Sequence, residues 1–236
     1  MHVRFGLALV VLGIASGCAT LRRDSLKAID PEVQKQPRLV RARAQGGFRL
    51  GPYTIVQRKL REHALDRGPS ATIEGPPRPT WRWDLELELA IDHGARWKGR
   101  CTGTRRSNID SDFGTVAGVA NDDVAIHCEL DGGDMKWRFV AGGRLDGNIF
   151  GELVADDASA APSTVEILLW MKRVKLISRH LAEPVAQVRH GKRVVAAMVL
   201  SRPEWAWVQR AEPDRMKAAA MITLAAIRLL PLGFDE

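Results

Sequence analysis

The clearest signal in the chain is a strict alternation of apolar and polar positions. Trp81, Trp83, Leu85, Leu87, Leu89 and Ile91 alternate with Arg82, Asp84, Glu86, Glu88, Ala90 and Asp92. Successive side chains of a strand point to opposite faces, so this pattern predicts one buried and one wet face, the habit of antiparallel sheets. A helix would spread those charges around its circumference. Strand signals begin at Phe48–Leu50, pause at Gly51-Pro52, and resume over Tyr53–Val56. A Pro/Gly-rich connector follows, around Gly68-Pro69 and from Gly75 to Pro79. Shorter strands are predicted at Arg96–Thr104, Val124–Leu130, Met135–Ala141, Arg144–Ala155 and Thr164–Lys172. Turn signals separate them: Asp131–Asp134, Gly142-Gly143 and Asp156-Asp157. The glycines of Leu145–Gly151 predict a bent strand. Val174–Ala182 reads equally as strand or short helix.

Val185–Arg189 and Lys192–Leu200 flank His190-Gly191, a two-residue hairpin turn in which glycine accepts positive φ. Val194–Leu200 is apolar at every position, so it should be a central strand buried on both faces. Trp205 and Trp207 end the sheet portion. Glu212-Pro213-Asp214 then opens a helix, with proline at the start and acid near the positive end of the dipole. That helix is expected over 214–230, stopped by Pro231 and Gly233. Ala, Met, Leu and Ile cover most of its circumference, which predicts a helix buried among other elements. The fold class is therefore α+β: a predominantly antiparallel, curved or barrel-like sheet with one buried apolar C-terminal helix. In plan alone it is similar to the tubby-like and scramblase-like barrels, whose sheet closes around a C-terminal apolar helix. None of their residue motifs is present.

The N-terminus carries an address. Met1–Arg4 is a short basic start, and Phe5–Ile14 is an apolar run too short for a permanent span, which needs roughly 20 residues. Ala15-Ser16-Gly17-Cys18 follows and resembles the lipobox of bacterial lipoproteins, departing at Ala15, where leucine is commoner. The resemblance implies that residues 1–17 are a signal peptide removed by signal peptidase II. It also implies that Cys18 takes a diacylglyceryl group and usually a further acyl chain. Two or more chains hold a protein stably on a membrane. Aspartate after that cysteine tends to retain such proteins in the inner membrane; Ala19 stands there, which implies the cell outer membrane. The alternative is an ordinary secretory signal with an incidental cysteine.

Charge is unevenly placed. From Leu21 to Arg61 there are eleven Lys/Arg against three acids, a balance of +8, whereas from Glu62 onward 25 acids outnumber 23 bases. The region 18–45 accordingly reads as a lipidated basic tether with at most a transient turn at Ser25–Asp30, and 46–236 as a single domain. The tether is expected either to face anionic lipid headgroups or to be a solvated linker with no partner. No nucleic-acid motif is present. With Cys18 lipidated, Cys101 and Cys128 remain, and an even count in an oxidising compartment predicts one disulfide.

Candidate chemistry is sparse. The six histidines are scattered, no metal-binding spacing or GxSxG elbow occurs, and no cofactor loop is found. Asn108, Asp110 and Asp112 alternate before Gly114, but an EF-hand needs a glutamate where Val119 stands. Asp112-Phe113-Gly114 lacks every other kinase element. Glu86 and Glu88 share a wet strand face. No catalytic, metal or cofactor residue is assigned. Trp81, Trp83, Trp205 and Trp207 sit at strand alternation, where they either fill a core or line an apolar pocket. The leading expectation is a non-enzymatic binding or assembly module of the envelope, with an unidentified envelope protein as partner. An apolar-ligand carrier with a Trp/Leu-lined cavity is the alternative, and a hydrolase of unrecognised type a third.

Overall fold

The computed structural model is mostly antiparallel strand with a C-terminal helix. It describes residues 26–65, 80–106, 122–145, 147–157, 161–168, 172–174, 177–179, 184–201 and 204–233. The lipobox with Cys18, the Pro/Gly connector and the Asn108–Gly114 loop lie outside the described residues. The chain order is α1 (Pro31–Gln34), β1 (Leu39–Ala44), β2 (Gly47–Leu50), β3 (Tyr53–Leu65), β4 (Thr80–Ile91), β5 (Arg96–Arg106) and β6 (Asp123–Asp131). It continues through β7 (Lys136–Arg144), β8 (Ile149–Ala155), β9 (Ser163–Leu168), β10 (Lys172–Val174) and β11 (Ile177–Arg179). It ends with β12 (Val185–His190), β13 (Arg193–Val199), β14 (Trp205–Val208) and α2 (Asp214–Leu229).

Twelve of the strands form a closed antiparallel barrel, in the order β1-β14-β13-β12-β9-β8-β7-β6-β5-β4-β3-β2, while β10 and β11 make a separate two-stranded sheet. Closure removes every sheet edge from the barrel. The alternation read from the sequence is the inside/outside alternation of its wall. Trp83, Leu85, Leu87 and Leu89 of β4 are buried, as are Val124, Ile126, Cys128 and Leu130 of β6. They belong to one core cluster that also contains Met216 and most of the run from Ala218 to Ile227 in α2. That helix touches β3, β4, β5, β6, β12 and β13. Its buried Thr223 is satisfied locally, donating to the Ala219 carbonyl at 2.8 Å.

Close backbone approach explains two glycines. A Cβ on Gly103 of β5 would lie 3.1 Å from Leu230 and 3.2 Å from Leu232, where the chain leaves α2. On Gly151 of β8 it would meet the Val140 carbonyl oxygen at 2.4 Å.

Three boundaries differ from the sequence reading. The expected tether does not run to residue 45: β1 pairs with β2 along its length and with β14 through Leu39–Ala206 and Val40–Trp205, so it closes the barrel. Its alternation is hidden because neither face is deeply buried. Second, the bent strand at 144–155 is a hairpin. β7 runs through Gly142 and Gly143, Leu145 turns inward, and Gly147-Asn148 lead into β8. Third, β3 extends to Leu65, with a register shift between Gln57 and Lys59 that kept its pattern from reading as one strand.

Candidate functional site

The outer wall of β3–β7 is a lattice of alternating charge. Across the strands, Glu86 opposes Arg100, Arg100 opposes Glu129, and Glu129 opposes Arg138. One row along, Glu88, Lys98, Asp131 and Lys136 repeat the alternation. Arg58 on β3 donates to Glu88 at 2.6 Å, and this hydrogen bond holds the Glu88 carboxyl below its usual range. At Asp84 desolvation is the largest single influence and acts upward, yet hydrogen bonds and charge from Arg82 and His63 together outweigh it and lower the pKa. The hydrogen bonds there are 3.2 Å from Arg82 and 2.9 Å from His63. Two open grooves of about 390 and 370 Å³ run along this wall and share Lys98. A barrel wall facing hydrocarbon carries an apolar band, and Lys or Arg there costs roughly 2–4 kcal/mol at mid-depth. These charges therefore face water or a polar partner. Beside them Val140 and Phe150, on neighbouring strands, are 47% and 54% exposed. They make a small apolar spot on β7–β8.

The opposite sector is covered. Ile29 and Val33 pack on the outer face of β12–β14, forming a second core with Val185, Val194, Ala197, Val199 and Trp207. This cover is why β13 is apolar at every position from Val194 onward: its inner residues belong to the barrel core and its outer ones to the second core. Asp30 caps α1, accepting from the Glu32 amide at 2.8 Å, and Pro31 takes the first turn. Asp30 also meets Arg189 at 3.6 Å. Arg38 stacks 4.3 Å from the Trp205 ring centroid. The Asp30-Pro31-Glu32 signal is of the same kind as Pro213-Asp214, but the apolar residues around it are too few to show a helical period.

The four singled-out tryptophans do not converge. Trp83 lies in the barrel core with Trp81 packed against it, whereas Trp207 lies in the second core with Trp205 at its edge. Cys101 and Cys128 do meet. They are directly opposite on β5 and β6, with Cα atoms 4.0 Å apart and the sulfurs bonded. Both are buried in the barrel core. Glu86 and Glu88 are each matched by a cation, Lys59 at 3.5 Å and Arg58.

Much of the basic balance of the N-terminal region is spent inside the fold. Lys35 pairs with Glu32, Arg41 with Glu204, Arg49 with Asp92, Arg58 with Glu88 and Lys59 with Glu86. Glu204 is itself buried and also accepts from Arg228 at 3.0 Å, joining β1, the β13–β14 connection and the last turn of α2.

At the other end of α2, Ser163 Oγ and His190 Nδ1 lie 3.0 Å apart, opposite one another on β9 and β12. Ser163 is completely buried and also contacts the Met216 sulfur. The pair thus fastens the start of the helix to the wall. Nearby, burial first and Asp214 second raise the Tyr53 pKa, while a hydrogen bond from Lys217 lowers that of Asp214. Among the described residues no three His, Cys, Asp or Glu converge as a metal site.

The class defined by these observations is a twelve-stranded antiparallel barrel with a C-terminal helix, an N-terminal cover and a cross-strand disulfide. No protein-family model, curated protein or solved structure matches the chain.

Proposed function

We propose that this protein is a lipid-anchored component of the outer membrane, attached through Cys18, whose barrel is a non-enzymatic binding or assembly module. The observation that carries this reading is the interior. Phe48, Leu50, Ile55, Leu85, Leu87, Leu89, Phe139 and Leu153 are fully buried and share one cluster with α2. On this reading α2 is the plug of the barrel, as a central helix fills eleven-stranded cans. A filled interior moves recognition to the surface, where the charged lattice and the Val140/Phe150 spot are available. It also counts against an apolar-ligand carrier.

The docked N-terminus refines the anchoring. Seven residues separate Cys18 from Leu26, and the eight Cα-to-Cα steps span about 28 Å at full stretch. The barrel is thereby held close to the lipid surface instead of ranging on a long tether. Arg22 and Arg23 are the basic residues nearest the anchor, and on this reading they face headgroups.

The test is native mass spectrometry of the mature protein from its own envelope, with an apolar fluorescent probe titrated against the same sample. A diacylated N-terminal cysteine, no co-purifying apolar molecule and no saturable probe site are expected. A stoichiometric lipid beyond the anchor, displaced by the probe, would replace this reading with the carrier.

A further inference from the structure

The end of the barrel at which α2 begins holds a small pocket of about 250 Å³. Its apolar lining is Pro37, Leu39 of β1, Pro52 of the β2–β3 turn and Val208 of β14. The fold fixes these walls. Leu39 pairs with Ala206 at the closing seam, and it packs so tightly on Gly51 that a Cβ there would lie 2.7 Å from it. The Pro52 carbonyl accepts from the Asp92 amide at 2.9 Å. The rest of the lining is polar and only partly satisfied. Tyr53 is 6% exposed, and its hydroxyl makes no hydrogen bond among the described residues. Buried hydroxyls are ordinarily paired, and an unpaired one costs free energy. Burial first, and Asp214 second, raise the Tyr53 pKa, so the phenol is a protonated donor at neutral pH. Arg210 lines the pocket without an ion pair among the described residues. Lys217, one turn into α2, is a second cation; it bonds at 2.7 Å to Asp214, whose side chain is 92% exposed. Among the described residues the lining thus holds two cations, one donor hydroxyl and no carboxylate.

We propose that this pocket binds a small amphiphilic anion, a carboxylate with a short apolar tail, its head on Tyr53, Arg210 and Lys217 and its tail along Leu39 and Val208. The donors define the head: a carboxylate accepts from a hydroxyl and from cations at once, and such charge-assisted bonds are the strong ones. The four apolar residues define the tail. Volume sets the size, since clefts for drug-sized ligands measure roughly 300–1,000 Å³, and this smaller one has no room for a diacyl lipid. The site lies at the rim, apart from the packed interior. It requires a charged head, so a neutral apolar probe does not fill it. Nothing in it depends on the lipid at Cys18.

Tyr53 is the one tyrosine of the chain, so isotope labelling at tyrosine gives a single ring signal that reports the pocket directly. The full chain, held in phosphatidylcholine nanodiscs, is titrated with hexanoate and followed by nuclear magnetic resonance. A saturable shift of the Tyr53 signal is expected. Hexan-1-ol should give none, and acetate should bind at least tenfold more weakly because it lacks the buried methylenes. R210Q/K217Q should weaken hexanoate binding at least tenfold, with little change in melting temperature. D214N should tighten it, since Lys217 is released and a neighbouring negative charge is removed. Y53F, followed by calorimetry, should bind more weakly yet melt no lower than wild type, because the hydroxyl it lacks had no partner. No saturable shift with hexanoate, an equal shift with hexan-1-ol, or undiminished binding by R210Q/K217Q would overturn the proposal.

Discussion

A disulfide and a buried carboxylate join residues that lie far apart in the chain. The Cys101–Cys128 bond closes a loop with a sequence separation of 27, and on the chain-entropy model contributes about 3–4 kcal/mol. Replacing both cysteines by alanine should lower stability by that amount in urea, with the barrel still formed. Unchanged stability would mean the bond is absent from the folded protein. Glu204 grips Arg41 and Arg228 in a buried position. Glu204→Gln should cost about 2–4 kcal/mol, because both guanidinium groups lose a charged acceptor. The wall carboxyls behave differently. Asp84 and Glu88 have lowered pKa values, so their contribution is present above the unfolded carboxylate range near pH 4 and is lost as pH falls through the folded values. Arg58→Gln should thus be less stable than wild type at pH 7 and indistinguishable from it in acid.

Among the elements, what was legible in the sequence was whatever buries one face deeply. β4 and β6 show unbroken alternation because all their inner residues enter the core. Helix α2 was read from Pro213-Asp214 and its apolar run, and the cysteine pair from count alone. Elements that bury little were missed. β1 has half-exposed residues on both faces, α1 is a single turn, and the β3 register shift breaks the period. The tryptophans show the limit of a one-dimensional pattern: strand alternation assigns a face, but not whether that face looks into the barrel or at a covering helix. Ile29→Asp with Val33→Asp should release the cover while leaving the barrel closed. Limited proteolysis would then cut between residues 26 and 38, where wild type resists. In contrast, Leu224→Asp or Ile227→Asp places an unpaired carboxylate among fully buried residues, a cost large enough to unfold a domain of ordinary stability. A wild-type melting temperature for either variant would mean that α2 is peripheral.

For the molecule as a whole, the domain begins well before Gly46. Deleting residues to Gln45 removes β1 and leaves β2 and β14 with open edges, so that fragment should aggregate where the chain from Ala19 stays monomeric. On the proposed attachment through Cys18, Cys18→Ala should abolish palmitate labelling and signal cleavage together. Normal maturation of that variant would leave the protein free in its compartment.

The seam between β1 and β14 also sets an order of events. Arg41 and Glu204 are 163 residues apart in sequence, yet they meet across the closing joint. A chain delivered from its N-terminus exposes β1 first and receives its partner close to last. Topologies dominated by such distant pairings fold slowly, and a joint of two paired positions should form after the rate-limiting step. Leu39→Ala is then expected to speed unfolding while leaving the refolding rate as it was. During delivery β1 must wait, with one edge unpaired, until Trp205–Val208 arrives.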